Sequence, residues 1–258
     1  MSPTLVFGDD RSSGSDVAWQ WIELHEWPGW RLQVLTAHTP GFGPPPTPAS
    51  VELHEWQPDI PRVPRDASGF IEVRHLTAEL DPRLALLEPA DLLVIGPRGP
   101  GLAKALRLGS TAEWLLQVPP HPMIIARRAI PVHRVLVGHD GSPHAQLVTT
   151  TLATLPWVRQ LTVTVVVAAD GRADVERATT AAVDAFASTS ASVDVVHAHG
   201  HPTAALLGEI DRRAPDLVAL GSRGLTGFRR AYLGSTTSAV VRGTQCTVLV
   251  ACADVFDR

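Results

Sequence analysis

Cysteine is nearly absent from this chain: Cys246 and Cys252 are the two in 258 residues. They flank the last apolar run, and an extended segment of that length holds them about 20 Å apart, too far for a disulfide. A reducing compartment is the expectation. Lysine is scarcer still, with Lys104 alone. No Gly-Lys-Ser/Thr exists, which excludes a Walker A phosphate loop. No apolar run approaches the roughly 20 residues that span a bilayer. The opening residues, Met1 to Asp9, lack a basic region followed by an apolar segment. A cytoplasmic protein with no membrane partner is therefore expected. Excess charge is missing too: 22 Lys plus Arg against 26 Asp plus Glu leave a net charge of −4. No global field then favours nucleic acid.

What is present is a regular alternation. Strand-like runs at Thr4–Phe7, Leu32–Ala37, Phe70–His75, Ala90–Ile95 and Met123–Ala126 are interleaved with segments of helical spacing. Val132–Val137, Leu161–Ala168, Val193–His197, Asp216–Leu220 and Cys246–Val250 repeat the series. Continuous Val/Leu/Ile strands alternating with helices predict an α/β fold with parallel sheets covered on both faces. From Pro40 to Pro64 prolines interrupt the pattern, and a surface excursion without regular structure is expected. The pentapeptide Glu23–Trp27 recurs letter for letter at Glu52–Trp56, and the sequence offers no physical reason for it.

The stretch Gly221 to Ser235 follows a strand and precedes a helix. That arrangement presents free backbone N–H groups and the positive end of a helix dipole to an anion. Gly221 and Gly224 suggest a tight turn with positive φ, and Ser235 suggests an N-cap. Arg223, Arg229 and Arg230 add positive charge. The same spacing recurs as Gly96, Gly99, Gly109 and Ser110, and Leu-Gly-Ser-Thr occurs at 108–111 and 233–236. An internal repeat offset by about 125 residues is a duplicated domain rather than a solenoid unit. Domains at 1–130 and 131–258 are expected, the first carrying the proline-rich excursion.

The pattern Gly-x2-Gly-x9-Gly-Ser between fourth strand and fourth helix, with the early turn Gly138-His-Asp140-Gly-Ser-Pro143, resembles the universal stress protein family. Gly200-His-Pro202 and Ala214-Pro-Asp216 also match in kind. The resemblance implies two tandem, open, mainly parallel five-stranded sheets of Rossmann-like type, as in the adenine nucleotide alpha hydrolase-like folds. It further implies adenine nucleotide, usually ATP, bound beyond the carboxyl ends of the strands. Carried over, Gly221, Gly224, Gly234 and Ser235 would contact phosphates and ribose, with Arg223 and Thr236 beside them. Asp140 would lie near the nucleoside and Val167 near the base. In the first copy the matching positions are Asp10, His38, Gly96, Gly99, Gly109, Ser110 and Thr111. That copy departs from the pattern: Pro97 and Pro100 each remove a backbone donor, Arg11-Ser12 replaces Gly-Ser, and the excursion replaces much of the second helix.

Other constellations have plainer readings. His197, His199 and His201 alternate and would share one side of an extended chain, as metal ligands can, but a strand end running into a helix entry accounts for them. Asp9 and Asp10 are candidates to hold Mg²⁺ on a triphosphate, or simply turn formers. The tryptophans at 19, 21, 27, 30 and 56 are expected to pack a helix and cover the excursion rather than stack bases. No nucleophile–base–acid set has recognisable local context. The expected function is an ATP-binding regulatory protein acting through protein contacts, with an unidentified protein partner. The resemblance also implies an intramolecular pseudo-dimer through the final strands, and a homodimer is a further assembly. The alternatives are a slow ATP hydrolase or adenylate-handling enzyme, and a structural protein with lapsed sites.

Overall fold

The computed structural model describes residues 2–38, 53–98, 108–117, 119–169, 175–224 and 233–252. The chain divides into two compact units, Met1–Leu115 with Met123–Ala129, and Leu116–Pro122 with Ile130–Arg258.

In the first unit, β1 (Thr4–Gly8) leads through a turn into α1 (Ser13–Glu23), then β2 (Arg31–Ala37), β3 (His54–Glu55), β4 (Glu72–Ala78), α2 (Pro82–Ala85), β5 (Leu92–Ile95), α3 (Ser110–Gln117) and β6 (Met123–Ile125). The sheet order is β3-β4-β2-β1-β5-β6. Every pair is parallel except β3 on β4. The antiparallel β3 comes from the proline-rich excursion, where no regular structure is expected. It forms because His54 and Glu55 avoid the prolines and because β4 otherwise leaves one edge of the unit unpaired.

In the second unit, β7 (Arg134–Gly138), α4 (Pro143–Thr154), β8 (Thr162–Ala169), α5 (Val175–Ala185), β9 (Ser192–His199), α6 (Pro202–Arg213), β10 (Leu217–Gly221), α7 (Ser235–Gly243) and β11 (Thr247–Ala251) follow in turn. The order is β11-β10-β7-β8-β9, all parallel. With the inserted β3 left out and the rest numbered from its own start, each unit therefore runs 3-2-1-4-5. The direction of winding reverses between its first and fourth strands.

The helices begin where the local chemistry predicts. Ser12 and Ser142 each accept a hydrogen bond from the N–H three residues on, at 3.2 Å in both units, which caps α1 and α4. Pro143 and Pro202 occupy first-turn positions where no N–H is required. At the opposite end of the sheets an aspartate before the fourth strand holds the start of the first. Asp91 accepts from Thr4 N–H at 2.7 Å, and Asp216 accepts from Arg134 N–H at 2.9 Å.

The sheet of the second unit buries Leu136, Val166, Val218 and Leu220 against Leu206, Ile210 and Val240 of α6 and α7. Each such side chain contributes about 1.5–3 kcal/mol of transfer free energy. The first unit relies on aromatics. Trp21 and Trp27 are fully buried, their rings meeting edge-on at 6.2 Å, and Phe70 stacks on Trp27 at 5.9 Å. Phe7 of β1 meets Trp19 of α1 at 5.6 Å. The repeated pentapeptide adopts two structures. Glu23 closes α1 and leads to buried Trp27, whereas His54 and Glu55 form β3. Tertiary pairing overrides local preference there.

Candidate ligand site at the carboxyl ends of the strands

In an open parallel sheet a crevice forms beyond the strand ends where the winding direction reverses. In the second unit the turn after β7 and the loop after β10 share that crevice. Gly141 has φ +81°, a conformation glycine adopts without strain. Ser142 N–H bonds to Asp140 Oδ1 at 3.0 Å, and the Ser142 hydroxyl reaches the Arg223 carbonyl at 3.4 Å. The first unit repeats these bonds: Ser12 N–H to Asp10 Oδ1 at 3.0 Å, and Ser12 Oγ to the Arg98 carbonyl at 3.1 Å. Arg11 occupies the matching left-handed position at φ +59°. The duplicated spacing thus becomes a duplicated hydrogen-bond frame.

The glycines act through close approach, not through positive φ as the turn chemistry suggests; among the described residues neither Gly221 nor Gly224 has a left-handed backbone. A Cβ at Gly221 would lie 2.7 Å from Ala145 N, because the strand end abuts the start of α4. Gly96 is as constrained, with a Cβ at 2.4 Å from the Gly14 backbone. A Cβ at Gly224 would lie 2.6 Å from Asp140 Oδ2, which brings that carboxylate against the loop. Gly234 N–H closes back on the Ser222 carbonyl at 2.8 Å, and Gly109 N–H on the Pro97 carbonyl at 2.7 Å.

Ser235 is the first residue of α7, not its N-cap. The cap is Gly234, which has no side chain to satisfy the helix start. The first-turn N–H groups of Ser235, Thr236 and Thr237 therefore have no capping side chain. Ser235 is exposed, the Thr236 hydroxyl lies 3.4 Å from that of Thr203, and Thr237 bonds to the Gly221 carbonyl at 2.7 Å. Arg223 directs a guanidinium nitrogen to Cys252 Sγ, 3.3 Å away, just beyond β11. Ser110, the counterpart of Ser235, likewise opens α3 and is exposed, with Thr111 next to it. Gly99, Pro100, Arg229 and Arg230 lie outside the described residues.

Two carried-over readings need correction. Pro97 was expected to remove a donor from the loop. Its counterpart Ser222 donates its N–H to the Ala251 carbonyl at 2.7 Å, so that donor ties a strand together and does not face a ligand. His38 was aligned with Val167. Asp9 N–H bonds to Leu35 O at 2.9 Å and His139 N–H to Val166 O at 3.0 Å, which makes Thr36 the counterpart of Val167. His38 lies two residues further and meets the Trp56 ring edge-on at 6.4 Å. The excursion after β2 blurred that register in the sequence.

Val167 and Thr36 are both buried, and the Thr36 hydroxyl has no hydrogen-bond partner among the described residues. Beside Val167 stands His139, also buried. Its Nδ1 accepts from Gly141 N–H at 3.2 Å, so the neutral ring carries its proton on Nε2. That atom makes no regular hydrogen bond among the described residues, and the Gln146 side chain lies within reach of the ring. Burial lowers the His139 pKa, and the nearby Asp140 charge and the Gln146 side chain only partly oppose this.

The counterpart of His139 is Asp9. Burial pulls its pKa upward, but the Arg62 hydrogen bond, the Arg11 N–H and the Arg62 charge together bring it below the ordinary value. Arg62 Nε lies 3.0 Å from Asp9 Oδ2, and Arg62 Nη2 lies 3.1 Å from Asp9 Oδ1 and 2.6 Å from Asp16 Oδ1. This carboxylate is engaged by arginine, which argues against its holding a magnesium ion. The three alternating histidines also serve separate ends. His197 pairs with the Thr179 hydroxyl at 3.0 Å, and His201 caps α6 through Nδ1. Among the described residues no cluster of metal-ligating side chains forms.

Comparison with known proteins agrees with this architecture. Residues 131–251 match the Universal stress protein family. Universal stress protein Slr1230 of Synechocystis is 26% identical over 163 residues, which cover 62% of this chain and 57% of that protein. A universal stress protein from Archaeoglobus fulgidus superposes with a TM-score of 0.68 at 18% identity, over 98% of this chain and 99% of that one. A protein of unknown function from Pseudomonas aeruginosa gives a TM-score of 0.59 at 14% identity, over 98% and 94%. The second unit matches the Universal stress protein family model over residues 131–251, and the chain has the α/β fold of the solved structures it resembles.

Proposed function

We propose that this is a cytoplasmic, tandem universal stress-type protein that binds an adenine nucleotide, ATP, in the crevice of its second unit and acts through nucleotide-dependent protein contacts. The uncapped start of α7 carries this reading. Its first-turn N–H groups, with the Ser235 and Thr236 hydroxyls and the Arg223 guanidinium nearby, form a set suited to phosphate. The Asp140 carboxylate, pressed against Gly224, suits ribose hydroxyls. The described residues offer no nucleophile with a positioned base, which favours a regulator over an enzyme. Among them no helix is long and apolar enough to cross a membrane. Pairing of the two units through their final strands belongs to the same proposal. The test is to denature the purified protein and quantify released nucleotide, then titrate the stripped protein with ATP. Bound adenine nucleotide is expected; no binding at saturating ATP overturns the reading. Multiple-turnover phosphate release would move the assignment to a slow ATP hydrolase.

A further inference from the structure

We propose that the ligand edge of the first unit is filled by the chain's own Arg62, so that the protein takes nucleotide in its second unit alone. This rests on the nucleotide reading given above for the second unit.

The faces of the first sheet place Arg62 where a base would rest. Phe7 packs on Trp19 of α1, so Asp9, two residues on, shares the α1 face. Val34 is the register partner of Phe7, so Thr36 shares that face too. Thr36 corresponds to Val167, the position implied to lie beside the base. Arg62 stands over Asp9 on this face, clamped by both Asp9 oxygens and by Asp16, with its guanidinium carbon 6.0 Å above the Trp19 ring.

The rest of segment 53–65 fastens it there. Arg62 N–H bonds to His75 Nε2 on β4 at 3.1 Å. The Ile60 carbonyl accepts from Arg11 at 2.8 Å, and Arg11 also pairs with Asp9 at 3.0 Å. Trp56 N–H bonds to the His75 carbonyl at 2.9 Å while its ring meets His38. The ends of β1 and β2, and the edge of β4, each carry a residue of this strap. A nucleotide entering here must lift a guanidinium off a carboxylate that has no solvent exposure.

The second unit replaces the acids and the turn arginine of the clamp, and the Arg177 guanidinium comes within 3.9 Å of a Cβ placed on Gly141. His139 stands for Asp9, Gln146 for Asp16 and Gly141 for Arg11. The buried His139 ring meets the Gln146 side chain, where its counterpart Asp9 is held by two arginines. One edge buries an imidazole, and the other is closed by an arginine clamped on a buried carboxylate.

The experiment is ATP binding to the full chain by equilibrium dialysis, read as moles per mole. The variants are Ser235→Glu and Ser110→Glu. Both serines are exposed first-turn residues, where glutamate favours the helix and repels phosphate. The wild type is expected to bind one equivalent, Ser235→Glu to lose at least 90% of it, and Ser110→Glu to retain it. Hydrogen exchange at the Arg62 and Trp56 amides should stay slow and unchanged by ATP. Two equivalents, a loss caused by Ser110→Glu, or faster exchange at Arg62 on adding ATP would each overturn the closed edge and leave the second-unit reading standing. No binding by wild type overturns both.

Discussion

At the end of its first strand each unit buries one titratable side chain, and the two are of opposite kind. In the first unit it is Asp9, held as an anion by arginines from its own turn and from 53 residues away. In the second it is His139, held neutral by burial. The frame around them is the same: a capping serine, a Ser-to-carbonyl bond across the crevice, a glycine at the fourth strand end. A shared backbone frame therefore does not dictate a shared occupant. Two positions in the frame, 9 and 139, decide whether the edge needs a counter-charge from within the chain.

The largest expected effect tests whether the frame is the common element. Gly221→Val drives a side chain into the backbone of α4, and Gly96→Val does the same to α1. Each should cost about 3 kcal/mol or more, read by urea denaturation; a loss below 1 kcal/mol in either would break the equivalence. Next comes the clamp. Arg62→Met leaves Asp9 with Arg11 and the Ser15 hydroxyl and should cost about 2–3 kcal/mol, discounted from a fully buried pair because Arg62 retains some exposure. Adding Asp9→Asn should recover more than half of that loss, since the penalty lies in the orphaned charge. Additive losses in the double variant would remove Asp9 as the cause.

A smaller contrast concerns the turn. Gly141→Ala must adopt φ near +81° and should lose about 1–2 kcal/mol, although its Cβ has room. Arg11→Gly should be close to neutral, because relief of that strain offsets the lost bonds to Asp9 and Ile60. The smallest effect is in pH dependence. A histidine whose pKa is lowered on folding lets the unfolded chain bind its proton first. His139 should therefore cost stability as pH falls below about 6.5. His139→Asn keeps an acceptor for Gly141 N–H and should flatten the fall in melting temperature between pH 7 and 5. His75, whose pKa burial also lowers, contributes to the residual slope. Asp9, lowered as a carboxylate, holds its contribution above about pH 4 and loses it as acid titrates it. An unchanged slope in His139→Asn would show that this imidazole is not held neutral.

What the sequence disclosed was local or periodic. The succession of strands and helices followed from alternating apolar runs, and the repeated frame followed from Gly-x2-Gly-x9-Gly-Ser. Ser12 and Ser142 were readable as helix starts because capping is decided within three residues. What stayed hidden depended on distance. The Asp9–Arg62 pair joins residues on either side of a proline-rich segment, and nothing within it marks Arg62 from Arg65. The glycines were recognised, but for the wrong reason: their necessity comes from a helix start belonging to another part of the chain. Thr36 was missed because the register after β2 is set by the hydrogen bond from Asp9, which no spacing reveals.

The aromatic core of the first unit has an optical consequence. Trp19, Trp21, Trp27, Trp30, Trp56 and Trp114 fall in residues 1–115, and Trp157 alone falls in the second unit. Intrinsic emission is thus a near-private reporter of the first unit, while far-ultraviolet dichroism averages over both. If melting followed by the two signals separates, the gap measures how far one unit outlasts the other, with no dye or tag attached.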